Sequence, residues 1–169
     1  MARWFSLPAV RLALVAGVAL FSLSGTTLAA ESGDGGQIQR LGALSEFSDW
    51  VVSVAFSPDG RQLATGSYEV VKVWNVETRD LQTTLKPGSG YVKALAFAAD
   101  GRQLVTGSYK QVTFWDTQSW QEVASLEGHR GFVTDVAFSP DGEWLASSCD
   151  DGKIRVWGVR DGELLGEID

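Results

Sequence analysis

Short runs of alternating apolar and polar residues occupy the chain from about residue 50 onward. Val52, Val54 and Phe56 point to one side and the residues between them point to the other, and this period of two predicts a β-strand. A Ser-Pro-Asp-Gly turn follows, in which proline fixes φ and glycine takes the left-handed position. Three further strands are predicted at residues 63–67, 71–74 and 80–85, the last of them polar enough to lie at a sheet edge.

The same unit occurs three times in register. Its Asp-Gly turn recurs every 41 residues and the Trp that ends its third strand recurs after 41 and 42, at Asp59, Asp100 and Asp141 and at Trp74, Trp115 and Trp157. The one additional residue falls in the turn at residues 150–153. Four antiparallel strands in about 41 residues are typical of a propeller blade and not of a sandwich or a solenoid.

The third repeat carries the most complete motifs, namely Gly128-His129, Phe138-Ser139-Pro140-Asp141-Gly142 and the segment from Asp151 to Trp157. With these motifs the sequence resembles the WD40 repeat family over residues 38–169. The resemblance implies an all-β fold of three four-stranded antiparallel propeller blades, at about residues 48–85, 89–126 and 130–168. It also implies an extra N-terminal outer strand at residues 38–44.

The resemblance further implies a structural hydrogen-bond chain inside the third blade, formed by His129, Ser147, Asp151 and Trp157. Physical chemistry is consistent with this role, because a buried indole N–H needs an acceptor and a carboxylate can fix the tautomer of an imidazole. Repeats 1 and 2 lack both the His and the Asp at the matching positions. We therefore expect those two blades to be held mainly by apolar packing.

Three blades do not close a propeller, which usually has four to eight. Outer strands are predicted at both ends of the repeat region, at residues 38–44 and near Ile168, so that one of them is redundant in a closed ring. We expect the chain to be a fragment of a longer propeller whose next repeat begins at residue 170. The alternative is a homo-oligomer, in which two copies would provide six blades.

The N-terminus reads as a targeting segment. Arg3 and Arg11 precede an apolar run at residues 12–23, which at 12 residues is too short to span a bilayer comfortably, and small residues follow. We predict a signal peptide at residues 1–30 with cleavage near Ala29 to Glu31, a linker at residues 31–37, and export to the periplasm or the extracellular space. The alternatives are an uncleaved N-terminal membrane anchor or a misassigned start codon.

Charge and residue inventory exclude several classes of function. Without residues 1–30 the chain has 12 basic and 21 acidic residues, a net charge of −9, which argues against nucleic acid as a partner. One His and one Cys, with no Ser in a nucleophile elbow, make an enzyme a poor interpretation. We predict no catalytic site, no cofactor and no metal site, since the adjacent Asp150 and Asp151 are typical of a turn.

The sequence favours a non-catalytic module that binds or scaffolds a protein partner of unknown identity. Candidate contact positions recur once per repeat, before the first strand at Trp50, Tyr91 and Phe132, and between the second and third strands at Tyr68, Tyr109 and Asp150. For the first three, packing against neighbouring blades is an equal alternative, whereas the two tyrosines in tight turns should be exposed. The alternative functions are a propeller-type enzyme or the remnant of a sensor domain, either needing further blades or a partner copy.

Overall fold

The computed structural model describes residues 43–44 and 47–169, and all regular structure in these residues is β-strand. The strands are β1 (Ser53–Phe56), β2 (Gln62–Gly66), β3 (Val71–Asn75), β4 (Leu81–Leu85), β5 (Ala94–Phe97), β6 (Gln103–Gly107), β7 (Tyr109–Asp116), β8 (Glu122–Phe138), β9 (Trp144–Cys149), β10 (Ile154–Gly158) and β11 (Leu164–Ile168). The predicted all-β fold class is confirmed.

Several predictions fall on the N-terminal part of the chain. The signal peptide at residues 1–30, the linker at residues 31–37 and residues 38–42 of the extra outer strand lie outside the described residues. Residues 43 and 44 lie in no strand. Over residues 43–44 and 47–169, no helix is long and apolar enough to cross a membrane.

The strands form antiparallel meanders in chain order. Blade 1 consists of β1 to β4, and its register pairs Ala55 with Ala64 and Ala64 with Val73. Blade 2 consists of β5, β6, β7 and the first half of β8, and blade 3 consists of the second half of β8 with β9, β10 and β11. Each blade is therefore four strands deep, as the repeat predicted.

Strand β8 crosses directly from blade 2 to blade 3. It runs for 17 residues without interruption, pairing with β7 up to Glu127 and with β9 from Val133 onward. The chain stays extended between these points because Phe132 pairs with Tyr109 of blade 2 across a bulge. Gly128, with a φ of 134° that favours glycine, lies in this crossing segment.

The core lies between the blades and not inside any one of them. We call the side of a blade that points to the next blade its forward face, and the opposite side its rear face. The forward face of blade 1 packs on the rear face of blade 2 through Ala64, Val71, Val73, Leu85, Val92, Phe97, Leu104 and Trp115. The forward face of blade 2 packs on the rear face of blade 3 through Ala94, Val105, Val112, Phe114, Leu126, Val133, Val136, Leu145 and Trp157.

Close approach of the blades requires a very small residue at the end of the second strand. A Cβ added to Gly107 would lie 2.6 Å from Val133 Cγ1 and 2.9 Å from Ala94 Cβ. Both distances are shorter than van der Waals contact, and Val133 is fully buried, so its side chain cannot move away from the added atom. Gly107 therefore sets the spacing between blades 2 and 3.

We predict that Gly107→Ala lowers the free energy of unfolding by about 1–3 kcal/mol, because the added methyl group overpacks the interface between the blades. The matched control is Gly166→Ala in β11, where an added Cβ meets no atom within 4 Å. The control should leave stability within about 0.5 kcal/mol or raise it slightly. Denaturant unfolding measures both variants, and equal losses would contradict this account of the packing.

Candidate functional site

The candidate residues named from the sequence lie along one edge of the blades. The segment before the first strand of each blade meets the turn between the second and third strands of the preceding blade, through the bridge Tyr68 to Tyr91 and the pair Tyr109 to Phe132. We call this side of the molecule the loop edge. It carries both a buried polar chain in blade 3 and a row of aromatic side chains.

The polar chain begins at the indole of Trp157, at the end of β10. Its Nε1–H donates to Ser147 Oγ at 2.8 Å, and His129 Nε2 lies 2.7 Å from the same hydroxyl oxygen. The Ser147 hydroxyl lies 3.5 Å from the carbonyl oxygen of Arg155, to which it donates. Three of the four residues named by the resemblance are thus brought together in direct contact.

The fourth residue, Asp151, is connected in a way that the sequence reasoning missed. The Arg155 guanidinium lies between the carboxylate and the imidazole, donating to His129 Nδ1 at 2.7 Å and to Asp151 Oδ2 at 3.0 Å. Among the hydrogen bonds of the described residues, none joins Asp151 directly to His129. Arginine remains protonated in proteins, so Nδ1 must accept and Nε2 carries the proton that is donated to Ser147.

Charges inside the chain are consistent with this assignment. Burial, and then the neighbouring Arg155 charge, lower the pKa of His129, which keeps the imidazole neutral. Burial alone would raise the pKa of Asp151, but hydrogen bonds from the Arg130 amide, the Cys149 thiol and Arg155 hold it far below its usual range. The polar chain of blade 3 thus consists of a neutral histidine beside a fixed ion pair.

Arg155 also joins the outermost strand to this network. Its second guanidinium nitrogen lies 3.0 Å from Glu167 of β11, and Lys153 forms an ion pair with the same carboxylate. One feature of the sequence indicates that Arg155 belongs to this buried network. It precedes Trp157 by two residues on the same strand, so both side chains must lie on the same face. That face is buried, and a buried Arg requires partners.

Blades 1 and 2 keep the steps from the indole to a hydroxyl and from that hydroxyl to a carbonyl of the third strand, but they have no imidazole or guanidinium in the chain. Trp74 donates to Thr65 and Trp115 donates to Thr106, each at 3.0 Å. In blade 1 the position of Arg155 is taken by Lys72, whose ammonium lies 5.2 Å from the centre of the Phe47 ring. In blade 2 the matching residue is Thr113, and its hydroxyl is the one buried side-chain oxygen without a hydrogen-bond partner among the described residues.

His129, Cys149 and Asp151 also meet the distance criterion for a metal site, since their ligand atoms lie within 4.8 Å of one another. Their chemistry is unsuited to a cation. The lone pair of His129 Nδ1 is engaged by the Arg155 guanidinium, and burial raises the pKa of the Cys149 thiol. The cluster is better explained as part of the hydrogen-bonded network.

The aromatic row crosses from blade to blade. Tyr68 packs edge-on against Tyr91 with ring centres 5.3 Å apart, and Tyr109 packs against Phe132 at 5.1 Å. Tyr91 and Phe132 are half-buried by these contacts. The exposed fractions of Tyr68 and Tyr109 are 49% and 41%, and Trp50, at the start of the row, is 77% exposed.

Asp150 occupies the position in blade 3 that the two exposed tyrosines occupy in blades 1 and 2, and it is exposed. Lysines border the row, with Lys110 lying 5.0 Å from the centre of the Tyr109 ring and Lys93 lying 4.4 Å from that of Phe132. A groove beside Tyr68 is lined also by Lys72 and Lys86. The loop edge thus presents flat rings among mixed charges.

We predict that acidification destabilises the fold through His129, the one histidine of the chain. Because its pKa is lowered on folding, the unfolded chain takes up a proton at a higher pH than the folded chain does. Stability should therefore fall as the pH drops below about 6.5, the ordinary value for histidine. The thermal midpoint at pH 5.5 should lie below that at pH 7.5.

The matched control for this experiment is His129→Gln, whose amide can donate to Ser147 and accept from Arg155 without titrating. Its thermal midpoint should change much less between the same two pH values. The carboxyl groups with lowered pKa values titrate below this window in both proteins, so they do not blur the comparison. Equal pH dependence in the two proteins would contradict the assignment of a neutral, buried His129.

The comparisons with known proteins agree with this geometry. The family model "WD domain, G-beta repeat" matches residues 38–75, 79–116 and 120–158, which together are more than half of the chain. The second of these segments contains β4 to β7, so a family repeat begins with the outer strand of the preceding blade. No curated protein matches the chain.

Two solved structures share the fold, "Crystal structure of RRP9 WD40 repeats" and "Structure of U3-55K". Each is 23% identical to this chain, covers 74% of it and superposes with a TM-score of 0.70. The chain spans 40% and 41% of the length of those two proteins. At this identity the likeness concerns the fold alone, and it agrees with the three family matches: the chain belongs to the WD40 repeat family and is built of β-propeller blades.

Proposed function

We propose that this chain is a non-catalytic protein-binding module that contacts its partner through the aromatic row of the loop edge. The observation that carries the proposal is the regular exposure of Tyr68 in blade 1 and Tyr109 in blade 2, at the same position in both blades. WD40 propellers are generally scaffolds for protein interactions. Large exposed rings at repeated positions are the kind of side chain that contributes most to binding between proteins.

The row is held in place before any partner arrives. Tyr68 is fixed by its backbone bridge and ring contact with Tyr91, and the hydroxyl of Tyr91 donates to Asp49 at 2.9 Å. Tyr109 is fixed in the same way by Phe132. Ordered side chains lose little conformational entropy on binding, which favours affinity.

The chemistry of the loop edge favours binding over catalysis. Both ring nitrogens of His129 are engaged, which leaves no free base there, and the raised pKa of the Cys149 thiol opposes its action as a nucleophile. The net charge of −7 for the whole chain favours a protein partner over nucleic acid.

The test uses the purified chain as an immobilised bait and quantitative mass spectrometry of the proteins that it retains. The double variant Tyr68→Ser with Tyr109→Ser should reduce the retained amount of a true partner by about tenfold or more. The matched control is Arg61→Ser with Arg102→Ser, two exposed residues at the turns of the opposite edge. If every retained protein binds both variants equally well, the loop edge is not the binding surface.

We also propose that the chain acts after export from the cytoplasm, on the basis of the charged and apolar pattern of residues 1–30. The mature protein should begin near Glu31, because small residues suited to signal peptidase end at Ala30. Mass spectrometry of the protein recovered from its host measures the N-terminus directly. An intact Met1 in the soluble fraction would contradict export.

A further inference from the structure

The turn between the third and fourth strands of each blade ends in a residue with a left-handed backbone. These residues are Arg79, Trp120 and Gly162, with φ values of 68°, 55° and 70°. In each turn the amide of this residue donates to the carbonyl oxygen four positions earlier, at 2.8, 2.8 and 2.9 Å. The three turns therefore have the same shape, and a side chain at this position points the same way from its blade.

In blade 2 this position carries Trp120, whose side chain reaches back onto blade 1. The indole is partly buried and packs against the cluster between blades 1 and 2, which includes Val73 and Leu85. These two residues lie on the forward face of blade 1. Trp120 therefore occupies the place where the turn of one blade meets the forward face of the blade before it.

Gly162 contributes no side chain to the equivalent groove between blades 2 and 3. This groove has a volume of about 470 Å³, and Phe114, Leu126 and Gly162 are among the residues that line it. Phe114 and Leu126 stand one repeat after Val73 and Leu85. A Cβ added to Gly162 would lie 2.9 Å from Leu126 Cδ2, so a side chain at this position would point into the groove.

The outer strand of blade 2 is more apolar along this groove than the outer strand of blade 1. Val123 and Ala124 line the groove, and they stand one repeat after Gln82 and Thr83. Gln82 accepts a hydrogen bond from Gln62 at 2.9 Å, whereas the side chain of Val123 can form no such bond and is 57% exposed. Covering Val123 would remove apolar surface from water, which is favourable.

We propose that this groove binds an aromatic side chain of a protein partner, in the position that Trp120 takes one repeat earlier. The partner is a protein segment that exposes a tryptophan, because the chain itself places a tryptophan in the equivalent groove. A large aromatic side chain that fills a groove is a common anchor of contacts between proteins.

The groove is separate from the loop edge. Its lining residues all lie between Gln103 and Gly162, so both of its walls, in blades 2 and 3, belong to the described part of the chain. Gln103 begins β6, whereas Tyr109 of the aromatic row follows the other end of that strand. The groove is therefore a second contact site, which does not depend on the proposed function.

Methyl NMR of the full-length chain tests this site with N-acetyl-tryptophanamide as the probe. We expect titration to shift the methyl signals of Val123, Leu126 and Val159, because these side chains line the groove. Gly162→Trp should abolish the shifts, because its own indole fills the groove. The matched control is Gly152→Trp, at a left-handed glycine of the loop edge where an added Cβ meets no atom within 4 Å, and it should keep the shifts.

Two further variants keep the test decisive if the chain with the filled groove does not fold. Val123→Gln with Ala124→Thr, at two exposed positions, reproduces the wall of blade 1 and should weaken binding of the probe several-fold. Trp120→Gly should open the groove between blades 1 and 2, so that the probe also shifts the methyl signals of Val73 and Leu85. Mere damage to the fold would not produce this gain, and its absence from folded Trp120→Gly would contradict the equivalence of the two grooves.

A phage-displayed library of random peptides tests whether the groove accepts a polypeptide. Peptides that bind Gly162→Trp are removed first, and those that bind the unmodified chain are then selected. We expect the selected peptides to carry a tryptophan, and replacing that tryptophan by alanine should weaken binding by about tenfold or more. Selected peptides without an aromatic residue, or no peptide left after the removal step, would overturn the proposal.

Failure here is separable from failure of the proposed function, because the titration needs no protein partner. Tyr68→Ser with Tyr109→Ser should lose the partner of the loop edge and keep the probe-induced shifts of Val123 and Leu126. Unaltered methyl signals in the unmodified chain, or equal shifts in Gly162→Trp, would overturn the groove as a binding site and leave the loop edge unaffected.

Discussion

A four-stranded blade has two apolar faces and cannot bury either of them by itself. This constraint determines the rest of the structure, because each blade is stable only when a neighbour covers it. Strand β5 shows this directly, because Ala94 and Ala96 pack towards blade 3 while Leu95 and Phe97 pack towards blade 1. The buried glycines at the ends of β2 and β6 follow from the same need, since they let neighbouring strands approach closely.

The polar chain of blade 3 meets a second constraint, which is the need of a buried N–H group for a hydrogen-bond acceptor. A tryptophan at the end of each third strand supplies apolar area between blades but brings an indole N–H into the core. All three blades satisfy it with a hydroxyl. Blade 3 adds the imidazole, the guanidinium and two carboxylates, which connect its loop, its third strand and its outer strand. In blade 2 the hydroxyl of Thr113 is left without such partners among the described residues.

Much of this architecture could be predicted from the sequence. The period of 41 residues, the alternation and the Asp-Gly turns predicted the strands and their antiparallel order, because these features are local and recur three times. The family pattern named residues 129, 147 and 157 as one chain, and the structure places their side chains within hydrogen-bond distance. Arg155 was missed because a lone arginine in a strand looks like an exposed charge until the neighbouring acid and imidazole are located in space.

The pairing of the aromatic row was also beyond the sequence. The reason is that each ring packs against a residue of another blade, 23 positions away in both Tyr68 with Tyr91 and Tyr109 with Phe132. From the sequence, packing against a neighbouring blade and contact with a protein partner are equal alternatives for Trp50, Tyr91 and Phe132. Only the distances between blades distinguish these two interpretations. The continuous β8 has the same origin, since its middle is held by a cross-blade pair and not by its own alternation.

The shared strand gives the molecule an uneven mechanical character. Tension applied between blades 2 and 3 runs along β8, whose backbone is bonded to β7 on one side and β9 on the other. The segment between blades 1 and 2, at residues 86–93, contains Pro87 and the left-handed Gly88 and Gly90, and it lies in no strand apart from the bridge at Tyr91. A force that separates blades 2 and 3 must therefore act on a strand bonded on both sides, whereas blades 1 and 2 are joined by irregular backbone and by their packed faces.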